Sequence, residues 1–324
     1  MKIRIGIGFG AWPSRATRPE TILEFIDYCE SLDIDSLWVS DRIVSPALTL
    51  EPVTFMAYMA SRLRNMKFGT SALALPTRNP VILAKELATL DFLSRGRLLL
   101  GVGLGSDESR DFEAVGVRKE QRGKRTDEAI VLMRKLWTEE NVTFEGSFYS
   151  VKELSLAPRP CQKAGPPIWI GGRSQAALRR TGRLGDGWLV SSATPEEVAR
   201  GIETIRSLAS ERGRDVAEDH YGVLLPFFFA QSSDKAFAIA SPSLRPRPDM
   251  APAAYCALGT AEQIRQRLHD YIEAGATKFV MRLCGPGEGW HDQVELLARE
   301  VIRPLQTPFS PEERRERAGL TPAS

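Results

Sequence analysis

Two groups of residues in this 324-residue chain have types and spacings that could do chemistry. The first is Gly171-Gly172-Arg173-Ser174, just ahead of the helix-forming segment AALRRTGRL. A glycine turn lets backbone N–H groups approach a phosphate closely, and a helix N-terminus adds partial positive charge. Arg173 and Ser174 would add side-chain donors, although a plain tight turn fits the same motif. The second group is Asp41 beside Arg42, either a proton-transfer pair or a structural ion pair. Other motifs are weaker. Gly101, Gly103 and Gly105 are equally compatible with close strand packing. Gly6, Gly8 and Ala11 satisfy G-x-G-x-x-A, but Pro13 follows and the helix starts near Thr17. A dinucleotide site needs its glycines to open directly onto the helix. Of the three histidines, His220 and His269 lie away from strand ends, and only His291 could reach a site from its loop. Neither a histidine base nor a metal site is therefore expected. Cys29, Cys161, Cys256 and Cys284 match no zinc spacing and read as packed or idle thiols.

The elements that must position these residues are eight short apolar runs: 3–9, 36–40, 67–75, 97–104, 167–171, 187–191, 221–229 and 278–283. Several are near-continuously apolar, as strands covered on both faces by helices are. Helix starts lie between them. Thr17 with Glu20, Thr194 with Glu197 and Thr260 with Gln263 form capping boxes, and Asn79 precedes Pro80 as an N-cap. The alternation predicts an α/β fold, a closed (β/α)8 TIM barrel with insertions after strands 4 and 7. Those insertions are 105–125 and 230–258; the stretch 241–252 should be an irregular loop, and 139–166 should hold a hairpin. In such barrels the site lies at the C-terminal ends of the strands. The strand ends here include Gly10-Ala11-Trp12, Asp41-Arg42, Ser71-Ala72, Leu104-Gly105-Ser106-Asp107, Ser191-Ser192, and Arg282 with Cys284. Phe227 to Phe229 read first as core and second as a stacking surface for a ring.

Composition narrows the class. Hydrophobic residues are 43%, charged residues 26% and the net charge +2, so nothing points to nucleic acid. No apolar run approaches the roughly 18 residues of a membrane span, and the start is an alternating strand rather than a signal peptide. A cytoplasmic protein is expected, with one barrel domain over 1–305 and a polar tail over 306–324.

Two long stretches then carry a resemblance. They are MKFGTSALALPTRNPVILAKELATLDFLSRGRLLLGVGLG at 66–105 and APRPCQKAGPPIWIGGRSQAALRRTGRLGDGWLV at 157–190, with echoes in SLWVSDR and ATKFV. They resemble the bacterial-luciferase-like family of flavin- and deazaflavin-dependent oxidoreductases. The resemblance implies a barrel, usually dimeric, with the cofactor at its mouth. It implies that Gly171, Gly172, Arg173 and Ser174 hold the cofactor phosphate. It also implies a non-proline cis peptide at Ser71-Ala72, whose bulge supports the ring system. Leu104, Gly105, Ser106 and Ser191 would line the cofactor. One position departs from the pattern: Arg42 stands where many deazaflavin-using members have histidine, and arginine is a poor proton donor near neutral pH. Arg42 could instead hold an anionic substrate or the cofactor ring. Ser106 stands where some sugar-phosphate-oxidising members have glutamate, which disfavours that activity.

The favoured reading is hydride transfer with coenzyme F420 to or from a small organic substrate. The alternative is a monooxygenase using reduced FMN and oxygen, for which GSDESRDFEAVG is the echo. A third reading is a non-catalytic flavin-binding accessory subunit, since fold does not fix function. Arg245 and Arg247, in the 230–258 insertion, could meet an anionic group of the substrate.

Overall fold

The structure is a computed structural model that describes residues 1–9, 18–106, 110–244 and 246–317. Gly10, Ala11, Trp12, Pro13, Thr17, Asp107 and Arg245, named above, lie outside the described residues. The strands are β1 (Arg4–Phe9), β2 (Ser36–Val39), β3 (Lys67–Ala74), β4 (Leu98–Gly103), β5 (Val142–Glu145), β6 (Ser150–Leu154), β7 (Ile168–Gly171), β8 (Gly187–Ser191), β9 (Tyr221–Phe229), β10 (Ala257–Gly259) and β11 (Lys278–Leu283). The helices used below are α1 (Pro19–Ser31), α2 (Pro52–Arg62), α3 (Pro80–Ser94), α4 (Asp111–Ala114), α5 (Arg122–Thr138), α6 (Gln175–Leu184), α7 (Pro195–Ser210), α8 (Ser233–Ala240), α9 (Ala261–Glu273) and α10 (Trp290–Leu297).

Eight parallel strands close on themselves in the order β9, β11, β1, β2, β3, β4, β7, β8, with β8 pairing back to β9. Each falls inside one of the eight apolar runs. The reason is visible in β9, whose nine residues are all buried, one face toward the barrel axis and the other toward the helices. Trp38, Trp169, Leu189, Leu224 and Val280 fill the barrel interior as a separate apolar layer, and the larger core lies between strands and helices. The hairpin is β5 with β6. The stretch 241–252 holds a 3-10 turn and one isolated β-bridge, but it is flanked by α8 and by β10, a short strand that adds to β9.

Three of the four helix-start signals act as read. Asn79 Oδ1 accepts from the N–H groups of Val81 and Ile82, and both Thr194 and Thr260 form complete capping boxes. The fourth differs. α1 begins with Arg18 as its N-cap and no capping side chain. Proline at its first position supplies the fixed φ that starts a helix without one.

Charges gather at the N-terminal end of the barrel. Lys278 and Asp35 form a buried ion pair, with Arg4 3.6 Å from the same carboxylate. Burial works against the Asp35 carboxylate, but Lys278 and then Lys67 outweigh it and hold the group well below its ordinary range. The chain after the barrel docks here. Thr307 Oγ1 accepts from Ile3 N at 2.8 Å, and both carboxylate oxygens of Glu313 accept from Arg4 Nη2, with Lys2 2.6 Å away. Burial raises the Glu313 carboxyl, yet Lys2, the Ser310 N–H and Arg4 together bring it down to about 2. A depressed carboxyl lends its contact in full above its unfolded value of about 4.3 and loses it as pH falls through the folded value. The 306–317 segment is therefore expected to undock between about pH 4 and pH 2, ahead of barrel unfolding. Amide exchange of that segment checks this; protection that persists unchanged at about pH 2.5 would contradict it.

Candidate functional site

The C-terminal ends of the strands surround a cavity of about 920 Å³. Asp41 and Arg42 border it after β2, Ser71 and Ala72 from within β3, and Leu104, Gly105 and Ser106 after β4. Gly171 closes β7 and leads into Gly172, Arg173 and Ser174, while Ser191 closes β8; all five also line the cavity. Residues spread over 151 positions of sequence, from Asp41 to Ser191, thus meet in one space, because parallel strands all deliver their C-terminal ends to the same face.

The glycine turn is built for close approach. Gly172 has φ +108°, a conformation that side chains rarely adopt, and its carbonyl accepts from Trp188 Nε1 at 2.8 Å. Ser174 is the N-cap of α6, its Oγ accepting from Ala177 N, which leaves its O–H to donate elsewhere. Arg173 is exposed and makes no ion pair or side-chain hydrogen bond among the described residues. A helix N-terminus with an unpaired arginine and a fixed turn is suited to an anion.

Opposite the turn, the β3–β4 register shifts between Thr70 and Leu73, and the Ser71-Ala72 peptide is cis. The Ala72 methyl lies against Gly171 and Gly103, so this bulge and the glycine turn border the same space. Asp41 secures the bulge from behind. Its Oδ2 accepts from Ala74 N at 2.9 Å and its Oδ1 from Arg78 at 3.0 Å. Asp41 and Arg42 are not an ion pair. Neighbours at a strand end point to opposite sides, and Arg78, brought in by the turn after β3, occupies the carboxylate. Burial pushes the Asp41 carboxyl up, with Arg78 and the Ala74 N–H acting against it.

Residues 1–246 match the family model described as luciferase-like monooxygenase. The chain belongs to that family. An uncharacterized protein of Mycobacterium bovis is 36% identical over 165 residues, so the match spans 51% of this chain and only 56% of that relative. The F420-dependent glucose-6-phosphate dehydrogenase of Amycolatopsis mediterranei is 28% identical over 318 residues, covering 87% of this chain and 92% of that one. Among solved structures, a monooxygenase from Streptomyces bottropensis superposes with TM-score 0.79 at 23% identity, covering 93% of this chain and 99% of the other. An F420-dependent secondary alcohol dehydrogenase superposes with TM-score 0.80 at 22% identity, covering 95% and 100%. At those identities the two structures bear on the fold alone.

Several residues of this luciferase-like chain lie elsewhere than the sequence suggested. Arg247 is not available to a substrate: its guanidinium is buried between Glu197, at 2.7 and 2.9 Å, and Asp249, and it donates to Ser192 O at 2.8 Å. It anchors the insertion to the start of α7, a role that only the folded chain reveals. His291 lies in α10, 3.2 Å from Glu24 and beside the Tyr28 ring, outside the cavity. Phe227 and Phe229 pack in the main core and Phe228 in a smaller one with Cys256 and Cys284; none lines the cavity. All four cysteines are free thiols. Among the described residues no helix is long and apolar enough to cross a membrane, and no cluster of three or more His, Cys, Asp or Glu could hold a metal.

The site also includes residues that motif reading passed over. Arg122, Trp188, Arg200, Gly201 and Thr204 all line it. Gly201 carried a readable signal, since a glycine inside a helix costs about 1 kcal/mol relative to alanine and calls for a reason. The reason is Trp188: a Cβ on Gly201 would lie 2.4 Å from its ring. Gly201 thereby seats the indole that holds the Gly172 carbonyl.

Proposed function

We propose that this chain is a flavin-type oxidoreductase whose cofactor is the deazaflavin F420, acting on a small organic substrate. The observation that carries the reading is the convergence on one cavity of a phosphate-type turn, Gly171 to Ser174, and a supporting bulge at Ser71-Ala72. The fit is physical. The turn offers N–H groups, a helix N-terminus and the unpaired Arg173 to a phosphate, and the apolar faces of Ala72, Leu189 and Leu224 floor the space where a flat ring would rest. When bound, F420 supplies hydride transfer. The chain's own part is to hold the phosphate end at the turn, to set the ring against the bulge, and to keep that bulge in place through Asp41. Asp41 has both carboxylate oxygens engaged and so serves as a positioning residue. Arg42 offers fixed positive charge at the mouth of the cavity. That charge favours a substrate with an anionic group.

The name of the Amycolatopsis relative supports F420. Its sugar phosphate is not carried over, because Ser106 stands where some members that oxidise sugar phosphates have glutamate. Oxygen insertion with reduced FMN is the second reading, supported by the family description. A homodimer is part of the proposal. Anaerobic calorimetric titration of the protein with F420 and with FMN, each oxidised and reduced, tests it. Tight binding of F420 with FMN at least about tenfold weaker is the expected result, a gap of about 1.4 kcal/mol. Selective binding of reduced FMN would overturn the F420 assignment in favour of the monooxygenase, and binding of neither would put the accessory-subunit reading first.

A further inference from the structure

We propose that a second cavity, walled by α8, the 251–258 segment and α9, is a binding site for a small ammonium ion that carries an aromatic ring. This cavity shares no lining residue with the one at the barrel mouth, so the site stands apart from the F420 reading.

The first observation is a cavity with an apolar lining. It holds about 430 Å³, the scale of a small-ligand site. The fold builds it where β10 joins the edge of β9, with α8 capped by Ser232 on one side and α9 capped by Thr260 on the other. Phe237, Ala251, Ala253, Cys256 and Leu258 supply the apolar surface. Phe237 is 39% exposed, so its ring is left with area that a ligand ring can cover. Cys256 is only 3% exposed yet lines the cavity, and its thiol makes no hydrogen bond among the described residues. Burial pushes that thiol up to about 12, so it stays neutral and presents itself as a small apolar group.

The second observation is charge. The charged side chains that line this cavity are Asp234, Asp270 and Arg267. Arg267 is spent within the wall: it donates to Ala253 O at 3.0 Å and lies 3.6 Å from Asp270. The Asp234 carboxylate makes no ion pair or hydrogen bond among the described residues, and Lys235 beside it donates to Gln231 instead. Two of the uncharged groups are open as acceptors. Gln266 donates its amide to Asp270 at 3.0 Å, which leaves its Oε1 free, and Ser233 Oγ donates to Leu258 O at 3.0 Å, which leaves its lone pairs. Gln263 is the exception, since its Oε1 accepts from Thr260 N at 2.9 Å and its amide N–H groups remain. An apolar cavity with one unspent carboxylate and two spare acceptors suits a cation with N–H donors on an apolar body, and it repels an anion. A metal ion fits poorly, because no cluster of three or more His, Cys, Asp or Glu forms there among the described residues. Asp234 also lies in the first turn of α8, where negative charge is favoured in any case, so its role needs a readout other than stability.

The test uses three probes of one shape: 2-phenylethylammonium, the neutral 2-phenylethanol and the anionic 3-phenylpropionate. Calorimetric titration at about pH 7 and low salt, where the amine is fully protonated, gives the affinities. The ammonium should bind with a dissociation constant on the order of 1 mM, as befits so small a ligand. The alcohol should bind at least about fivefold more weakly and the carboxylate at least about tenfold more weakly. Asp234→Asn should bring the ammonium and the alcohol within about twofold of each other, and Asp234→Glu, which keeps the charge, should preserve most of the difference. Ala253→Trp, which fills the cavity from an exposed position, should weaken the ammonium at least about tenfold. Thermal melting of each variant shows that the fold persists. Three results would each overturn the proposal: no binding of the ammonium up to about 10 mM, equal affinities for ammonium and alcohol, or an ammonium affinity that Ala253→Trp leaves unchanged.

Discussion

Gly172→Val should weaken F420 binding by about 30- to 150-fold while the barrel stays folded. Valine has no comfortable conformation at φ +108°, and holding a non-glycine residue in such a region costs on the order of 1–3 kcal/mol. The turn would relax instead, and with it the N–H groups that approach the phosphate. The added side chain also meets Ala177, whose Cβ would be 3.2 Å from the new Cβ. That contact tilts the first turn of α6, where the helix presents its positive end. A loss of about 2–3 kcal/mol in binding follows if two charge-assisted contacts are disturbed. Calorimetric titration gives the affinity, and circular dichroism with thermal melting shows that the fold persists. Binding within threefold of the natural protein would mean that the turn does not hold the cofactor.

Removal of Arg78 should be the most destabilising single change near the site. Arg78→Ala leaves Asp41, whose side chain is 1% exposed, without its cation, and orphaning one member of a buried pair costs about 3–5 kcal/mol. Replacing both members, with Asp41→Asn and Arg78→Met, should recover much of that loss, because no uncompensated charge remains. The pH dependence has a definite sign. Burial already raises the Asp41 carboxyl in the folded chain, and losing Arg78 raises it further. A carboxyl with a folded value above its unfolded value of about 3.9 binds more protons in the native state, so stability declines as pH rises between the two. The deficit of Arg78→Ala should accordingly be smaller at about pH 5 than at pH 7. Urea unfolding at both values measures it; an equal deficit at both would show that Asp41 does not carry the orphaned charge. Since Asp41 also bonds Ala74 N, the variant should loosen the β3 bulge and weaken F420 binding as well.

Much of the architecture was legible in the chain because the physics behind it is local. A strand covered on both faces must be apolar along its whole length, so 221–229 and 97–104 announce themselves without reference to anything distant. Capping is a contact across three residues, so Thr194 with Glu197 and Thr260 with Gln263 can be read directly, as can Asn79 ahead of Pro80. The turn at Gly171 to Ser174 is contiguous and sits where a strand passes into a helix, which is why it stood out. Even the convergence of strand ends follows once the strands are known to be parallel.

What only the tertiary structure decided is which charges are spent and which are left. Asp41 lies next to Arg42 in sequence but bonds Arg78, 37 residues away, and Arg247 is consumed by Glu197, 50 residues away. No periodicity encodes such partners, because they depend on where separate elements come to rest. For the same reason the part that α7 plays in the cavity cannot be read from that helix alone: Arg200 looks like one more solvated charge until the fold sets it on the wall of the cavity. Local sequence determined the barrel and its turn; the packing of distant elements determined the charge that the site presents.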